Sequence, residues 1–182
     1  MGANGSGKST FFRICMLLEA PDSGEVTYLS GDSILNKDIT LKRRITLVLP
    51  KVGLFNSTVY NNAAYGLKIR NVSKGEIAGR VEKVLDFVGL SDKKRQNALT
   101  LSSGEAQRLG IARAIVIEPE ILFLDEPTAS TDQENTEIIE DIILKMGKEG
   151  RAKVIITTHD REQAIRLADK VLIMKNGSIA AV

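Results

Sequence analysis

With 182 residues, 43% of them hydrophobic and 26% charged, the chain has the make-up of a globular protein large enough to bury one good core. Its 25 Lys and Arg against 23 Asp and Glu leave a net charge of only +2, and aromatics reach 4% with no Trp. That argues against a basic footprint or a stacking platform for nucleic acid. A single cysteine, Cys15, excludes an internal disulfide framework and a cysteine-rich metal site. The apolar runs are too short to span a bilayer, so any membrane role is expected to come through a partner.

In chain order, residues 9–20 read as an apolar helix stopped by the turn signal Pro21-Asp22-Ser23-Gly24. Strands are expected over 25–29 and 44–49, with Ser30-Gly31-Asp32 between them. From 58 to 90 the pattern turns helical, Ile77, Val81, Val84, Leu85 and Val88 recurring at steps of three and four. A further helix is predicted over 103–117, then an apolar strand over 121–124, a helix over 132–146 and a strand over 153–157. A helix over 161–168 and strands over 171–174 and 178–182 complete the series. Strands alternating with helices imply parallel pairing through crossovers, hence an α/β fold.

Gly2-Ala3-Asn4-Gly5-Ser6-Gly7-Lys8-Ser9 fits the pattern G-x-x-x-x-G-K-[ST]. In that pattern the glycines let backbone N–H groups wrap a phosphate, at the positive end of the helix that follows. Lys8 is then expected to reach the β and γ phosphates, and the Ser9 hydroxyl to ligate Mg²⁺. A glycine-rich turn would read the same way, and the downstream residues decide between the two. The strand Ile121-Leu122-Phe123-Leu124 ends in Asp125-Glu126, at the strand end where ligands sit in open α/β sheets. A pair of acids closing a strand is the plain alternative.

Leu101-Ser102-Ser103-Gly104-Glu105, followed by Ala106-Gln107-Arg108, resembles the signature of ABC-type ATPases, and with it the whole order of motifs resembles that family. Ala129-Ser130-Thr131-Asp132 resembles the family's D-loop, and Thr157-Thr158-His159-Asp160 its switch region. The resemblance implies a P-loop NTPase core with a mostly parallel sheet, residues 1–50 and 118–182, and an inserted helical subdomain over 51–117. It implies ATP hydrolysis with Mg²⁺, Ser9 and Asp125 holding the metal. Glu126 would polarise the attacking water, with Lys8 and His159 in the catalytic set. Gly2, Asn4, Gly5, Ser6, Gly7, Lys8, Ser9 and Thr10 would hold the nucleotide. Ser102, Ser103, Gly104 and Glu105 would close over it from a second subunit, in a head-to-tail homodimer or with another ABC subunit. The implied setting is the cytoplasmic face of a cell membrane, with a transmembrane permease and a solute-binding protein as partners and no nucleic acid. The segments 55–60 and 127–132 look most like importers of oxyanions such as tungstate or molybdate.

Three departures from the family pattern stand out. Ser103 takes the place of a glycine, and its Cβ narrows a close approach of backbone to phosphate. Pro50 stands where the family has a glutamine that touches the metal, and proline offers neither amide nor N–H. The family also carries strands ahead of the phosphate loop, so the chain reads as N-terminally truncated, with residues 1–6 expected to fray. Two rival readings remain at this stage: a soluble ABC ATPase acting on nucleic acid, the ribosome or repair complexes, and an inactive fragment. Cys15, among Phe11, Phe12, Ile14 and Leu18, is expected to be a core residue.

Overall fold

The computed structural model describes residues 1–150 and 152–181. Fourteen helices and strands organise them, beginning with helix α1 (Lys8–Cys15), the hairpin strands β1 (Leu29–Ser30) and β2 (Ser33–Ile34), and helix α2 (Ile39–Arg44). Strand β3 (Ile45–Val48) leads into helices α3 (Val59–Lys68), α4 (Lys74–Phe87) and α5 (Ser103–Ile115). Then come β4 (Ile121–Asp125), α6 (Gln133–Lys148), β5 (Lys153–Thr157), α7 (Arg161–Leu167), β6 (Leu172–Lys175) and β7 (Ser178–Ala181). Val182, the last residue of the strand expected over 178–182, lies outside the described residues.

The organising element is a parallel sheet in the order β3-β4-β5. β4 is its centre, which is why its sequence is apolar without alternation: both faces are covered. Leu122 and Leu124 point to one face, into a cluster with Val59, Leu109, Ile139 and Met146. Phe123 points to the other and meets Phe12 of α1 edge-on, with ring centroids 4.9 Å apart. Each fully buried Leu of this kind contributes about 1.5–3 kcal/mol. β6 and β7 form a separate antiparallel pair. The first cluster runs without a break from the helices α3–α5 into the sheet, through Val48 and Leu122.

Several expected boundaries move, each for a local reason. The helix expected over 9–20 stops at Cys15, because Leu17 takes a left-handed φ of 59° and the N–H groups of Leu17 and Leu18 turn back to Ile14 and Arg13. Residues 25–28 stay outside any strand, and only Leu29–Ser30 pairs, around a turn at Gly31. Helix α2 was not expected; Asp38 caps it, its side chain accepting from Thr40 and Leu41 N–H. The helical stretch 58–90 is two helices, broken at Asn71 (φ 58°) and restarted by the cap Ser73. Cys15 is half-buried at the edge of the smaller cluster, and burial raises its thiol pKa.

The first residues are held rather than frayed. Gly2 N–H donates to Thr158 O (3.1 Å) just beyond β5, and Met1 O accepts from Met174 N–H of β6 (2.8 Å). The Met1 amine donates to Leu172 O (2.6 Å), so Met1 and Gly2 link the end of β5 to β6. Residue 2 must be glycine in this position: a Cβ would sit 2.4 Å from Met174 O.

Candidate active site

Parallel strands end on the same side of a sheet, so the register that pairs Asp125 with Thr157 brings the ends of β4 and β5 together. Asp125 is 3% exposed, and its Oδ1 accepts from Thr157 Oγ1 at 2.5 Å. The next residue, Glu126, leaves the strand with a φ of 47°, a left-handed conformation that costs a non-glycine residue about 1–3 kcal/mol. Two hydrogen bonds hold it there, from Glu126 N–H to Thr157 O (3.2 Å) and to Thr157 Oγ1 (3.0 Å). The Thr157 hydroxyl thus donates to one acid and accepts from the backbone of the other. Sequence reasoning named Thr157 only as part of a motif; its role depends on strand register and has no local signal.

Glu126 is the meeting point of the site. Its Oε2 lies 2.9 Å from Nδ1 of His159, on the loop after β5. Its Oε1 lies 3.1 Å from Lys8 Nζ, within ion-pair range yet with no hydrogen bond among the described residues. Lys8 is 8% exposed and also donates to Gly2 O (2.7 Å) and Ala3 O (3.1 Å). A buried ammonium needs such partners. Residues 8, 126 and 159 are thereby brought together.

Around Lys8 the loop has an anion-binding shape. Gly5 and Gly7 take φ of 77° and 101°, Gly7 starts α1 with no side chain capping it, and no acid lies in the first turn. Among the described residues the buried Ser6 hydroxyl has no hydrogen-bond partner. Asn4, Ser9 and Thr10 are exposed on the same loop and helix start. An uncapped helix start, left-handed glycines and a buried hydroxyl fit a phosphate group. For a divalent cation, Asp125 uses only Oδ1 in hydrogen bonds among the described residues, and Ser9 faces solvent one residue from Lys8. A hard, oxygen-seeking ion matches that donor set.

Ser102–Glu105 forms a second centre. Ser102 caps α5 by accepting from Glu105 N–H (3.3 Å), while Glu105 Oε2 accepts from Ser102 N–H (2.9 Å), completing a capping box. Lys93 pairs with Glu105 Oε1. Gly104 packs against α6 so closely that a Cβ would lie 2.2 Å from Asn135 Cγ, whereas Ser103 is exposed. The polar partners of this centre are Lys93 and its own cap, not the phosphate loop. Hydrogen bonding by Lys93, and then by the Ser102 backbone, holds the Glu105 carboxyl below the usual carboxylate range. A depressed folded pKa stabilises the protein above the unfolded value, an advantage lost as the pH falls through the folded one. Glu105→Gln is therefore expected to lower the unfolding free energy by about 1 kcal/mol at neutral pH. Denaturant titrations of the two proteins should converge below the ordinary carboxylate range.

The description of the matching family model is "ABC transporter", and it aligns with residues 1–129 of this chain. The chain belongs to the ABC transporter family. It is an ATP-binding ATPase domain of that family. Among its relatives, the tungstate uptake system ATP-binding protein TupC of Peptoclostridium acidaminophilum is 37% identical over 179 residues, covering 98% of this chain and 81% of its own length. The methionine import ATP-binding protein MetN 1 of Listeria monocytogenes is 40% identical over 184 residues, again across 98% of this chain. The chain spans about half of that relative's length, 54%. Among solved structures, cbiO1 from Clostridium perfringens, part of the ABC transporter complex cbiONQ, superposes with a TM-score of 0.88 at 32% identity, covering 99% of this chain and 73% of its own.

The positions that depart from the family pattern are visible too. Pro50, half-buried, follows the end of β3 by two residues and offers no donor to the site. Beyond it, Asn62 is fully buried and holds the loop 55–58: its Oδ1 accepts from Phe55 N–H, and its Nδ2 donates to Phe55 O and Thr58 O. Phe55 itself is 41% exposed, packed on Tyr65 at 4.6 Å between centroids, with Arg113 4.8 Å over its ring.

Proposed function

We propose that this chain hydrolyses MgATP at the ends of β4 and β5 and transmits the resulting movement to a membrane permease that imports a small solute. The observation that carries the reading is Glu126, held between Lys8 and His159 at 3.1 and 2.9 Å beside a buried Asp125. A carboxylate so placed can take a proton from water, and the imidazole 2.9 Å away orients it. Gly2, Asn4, Gly5, Ser6, Gly7, Lys8, Ser9 and Thr10 hold the phosphates, with Lys8 exchanging its contact to Glu126 for one to the nucleotide. Ser9 and Asp125 would hold Mg²⁺, which when bound would supply positive charge against the phosphate oxygens.

Ser102, Ser103, Gly104 and Glu105 serve the nucleotide of a second copy, head to tail: Ser102 and Ser103 are exposed, while Glu105 and Gly104 are engaged with Lys93 and α6. The helical part, residues 51–117, presents the exposed Phe55 and Tyr65 pair beyond the Asn62-held loop, which suits docking of a permease at the cytoplasmic face of the membrane. Among the described residues no helix is long and apolar enough to cross a membrane, in keeping with a partner that does. Similarity to a tungstate uptake protein favours an oxyanion delivered by a solute-binding protein.

Calorimetry with MgATP tests the nucleotide site. Lys8→Ala is expected to weaken binding by at least tenfold, the value of one charge-assisted contact of about 1.5–3 kcal/mol. Unchanged affinity would remove Lys8 from the site.

A further inference from the structure

Behind the turn that carries Glu126 lies a polar cluster whose members on α6 and α7 belong to no motif. Gln163 of α7 is 3% exposed, and its side-chain amide nitrogen donates to Thr128 Oγ1 (2.8 Å) and to Glu140 Oε1 of α6 (3.0 Å). Those two acceptors take both amide hydrogens, which fixes the orientation of the group. Glu140 is 9% exposed and receives Arg166 Nε (3.2 Å) and a second guanidinium nitrogen (2.8 Å) from the solvent side. The charge of the buried carboxylate is thus balanced by Arg166, while its Oε1 anchors Gln163.

The other end of the link is Thr128. Its carbonyl accepts from Thr131 N–H and Oγ1, and Glu126 O accepts from Ala129 N–H, so 126–131 is a chain of tight turns. Only the Gln163 bond ties the Thr128 side chain to the rest of the fold among the hydrogen bonds of the described residues. Gln163 and His159 also lie in one segment, the helix being capped by Asp160 between them. Gln163 therefore joins the segment that bears His159 to the turn that bears Glu126.

We propose that Gln163 is a positioning residue which, by tying Thr128 to Glu140, keeps Glu126 in register with His159 and so sets turnover; this rests on the role given to Glu126 above. A bond that only glued α6 to α7 would affect folding and leave the chemistry of each folded molecule untouched.

Five proteins decide the matter: wild type, Gln163→Leu, Thr128→Val, the double variant of those two, and Thr128→Ser. Gln163→Leu keeps the volume and removes both N–H donors, and Thr128→Val removes the acceptor. Each is expected to lower kcat about tenfold with KM for ATP unchanged, since a small misplacement of a reacting group is costly and the phosphate loop is untouched. The double variant should fall no further, and Thr128→Ser, which keeps the hydroxyl, should retain the wild-type kcat. His159 is the only histidine, so its ring Cε1–H gives a single, unambiguous ¹H–¹³C correlation that reports its surroundings without any turnover. Gln163→Leu and Thr128→Val should shift it alike, and Thr128→Ser should not. An unchanged kcat, or a fall in kcat matched by lost affinity and lost folded protein, overturns the proposal. Should the wild type not hydrolyse ATP at all, the proposed activity fails, and the His159 correlation alone decides the link: moved by Thr128→Val it stands, unmoved it falls.

Discussion

Glu126→Gln is expected to bind MgATP as the wild type does and to hydrolyse it about 10²–10⁴ times more slowly, the usual contribution of one acid–base group. The reasoning rests on how the residue is held. Its backbone conformation is fixed by Thr157 and by the parallel register, not by its own carboxylate, so the amide should occupy the same place. Lys8 keeps its two carbonyl partners, Gly2 and Ala3, and the loop that grips the phosphates stays intact. The amide can still face His159 but cannot accept a proton from water at neutral pH. Asp125→Asn should behave differently. Asp125 is buried and accepts from Thr157 at 2.5 Å, so its loss of charge should weaken Mg²⁺-dependent binding as well as turnover. Calorimetry for affinity and single-turnover hydrolysis for chemistry separate the two roles, and equal loss of binding in both variants would reject the division of labour.

Mixing two inactive proteins, Lys8→Ala and Ser102→Arg, is expected to restore hydrolysis. In a head-to-tail dimer each site takes its phosphate loop from one chain and its Ser102 centre from the other. A mixed dimer then has one site with both defects and one with neither. Random exchange makes half the dimers mixed, so activity should recover to about a quarter of the wild-type level in a two-fold symmetric assembly. Wild-type specific activity should also rise with protein concentration as chains associate. The Ser102 centre suits presentation to a second chain: Ser102 and Ser103 are exposed, while their neighbours Glu105 and Gly104 are braced by Lys93 and Asn135. Arginine at 102 removes the cap and fills the space before the helix start. No rescue on mixing, together with activity independent of concentration, would show that one chain carries the whole site.

Much of the site was legible in the order of residues alone, and for a physical reason. A phosphate loop is a local device: its glycines, Lys8 and the helix start act within a few residues of one another. The same holds for Ser102 and Glu105, whose capping box spans three residues, and for β4, whose unbroken apolar run announces a strand covered on both faces. Where local chemistry competed, the reading slipped. The apolar pattern over 9–20 ran past the left-handed Leu17, and the β-branched residues at 25–28 found no strand to pair with. Asp38 and Ser73 were helix caps in plain view that periodicity alone overlooked. Tertiary structure decided the rest. Residues 8, 126 and 159 meet only because parallel pairing sets Asp125 opposite Thr157 and brings both strand ends to one edge. Thr157 and Gln163 bond to side chains more than thirty residues away, Asp125 and Thr128. A polar side chain whose acceptor is chosen by strand register and helix packing carries no mark of that role in its neighbours along the chain.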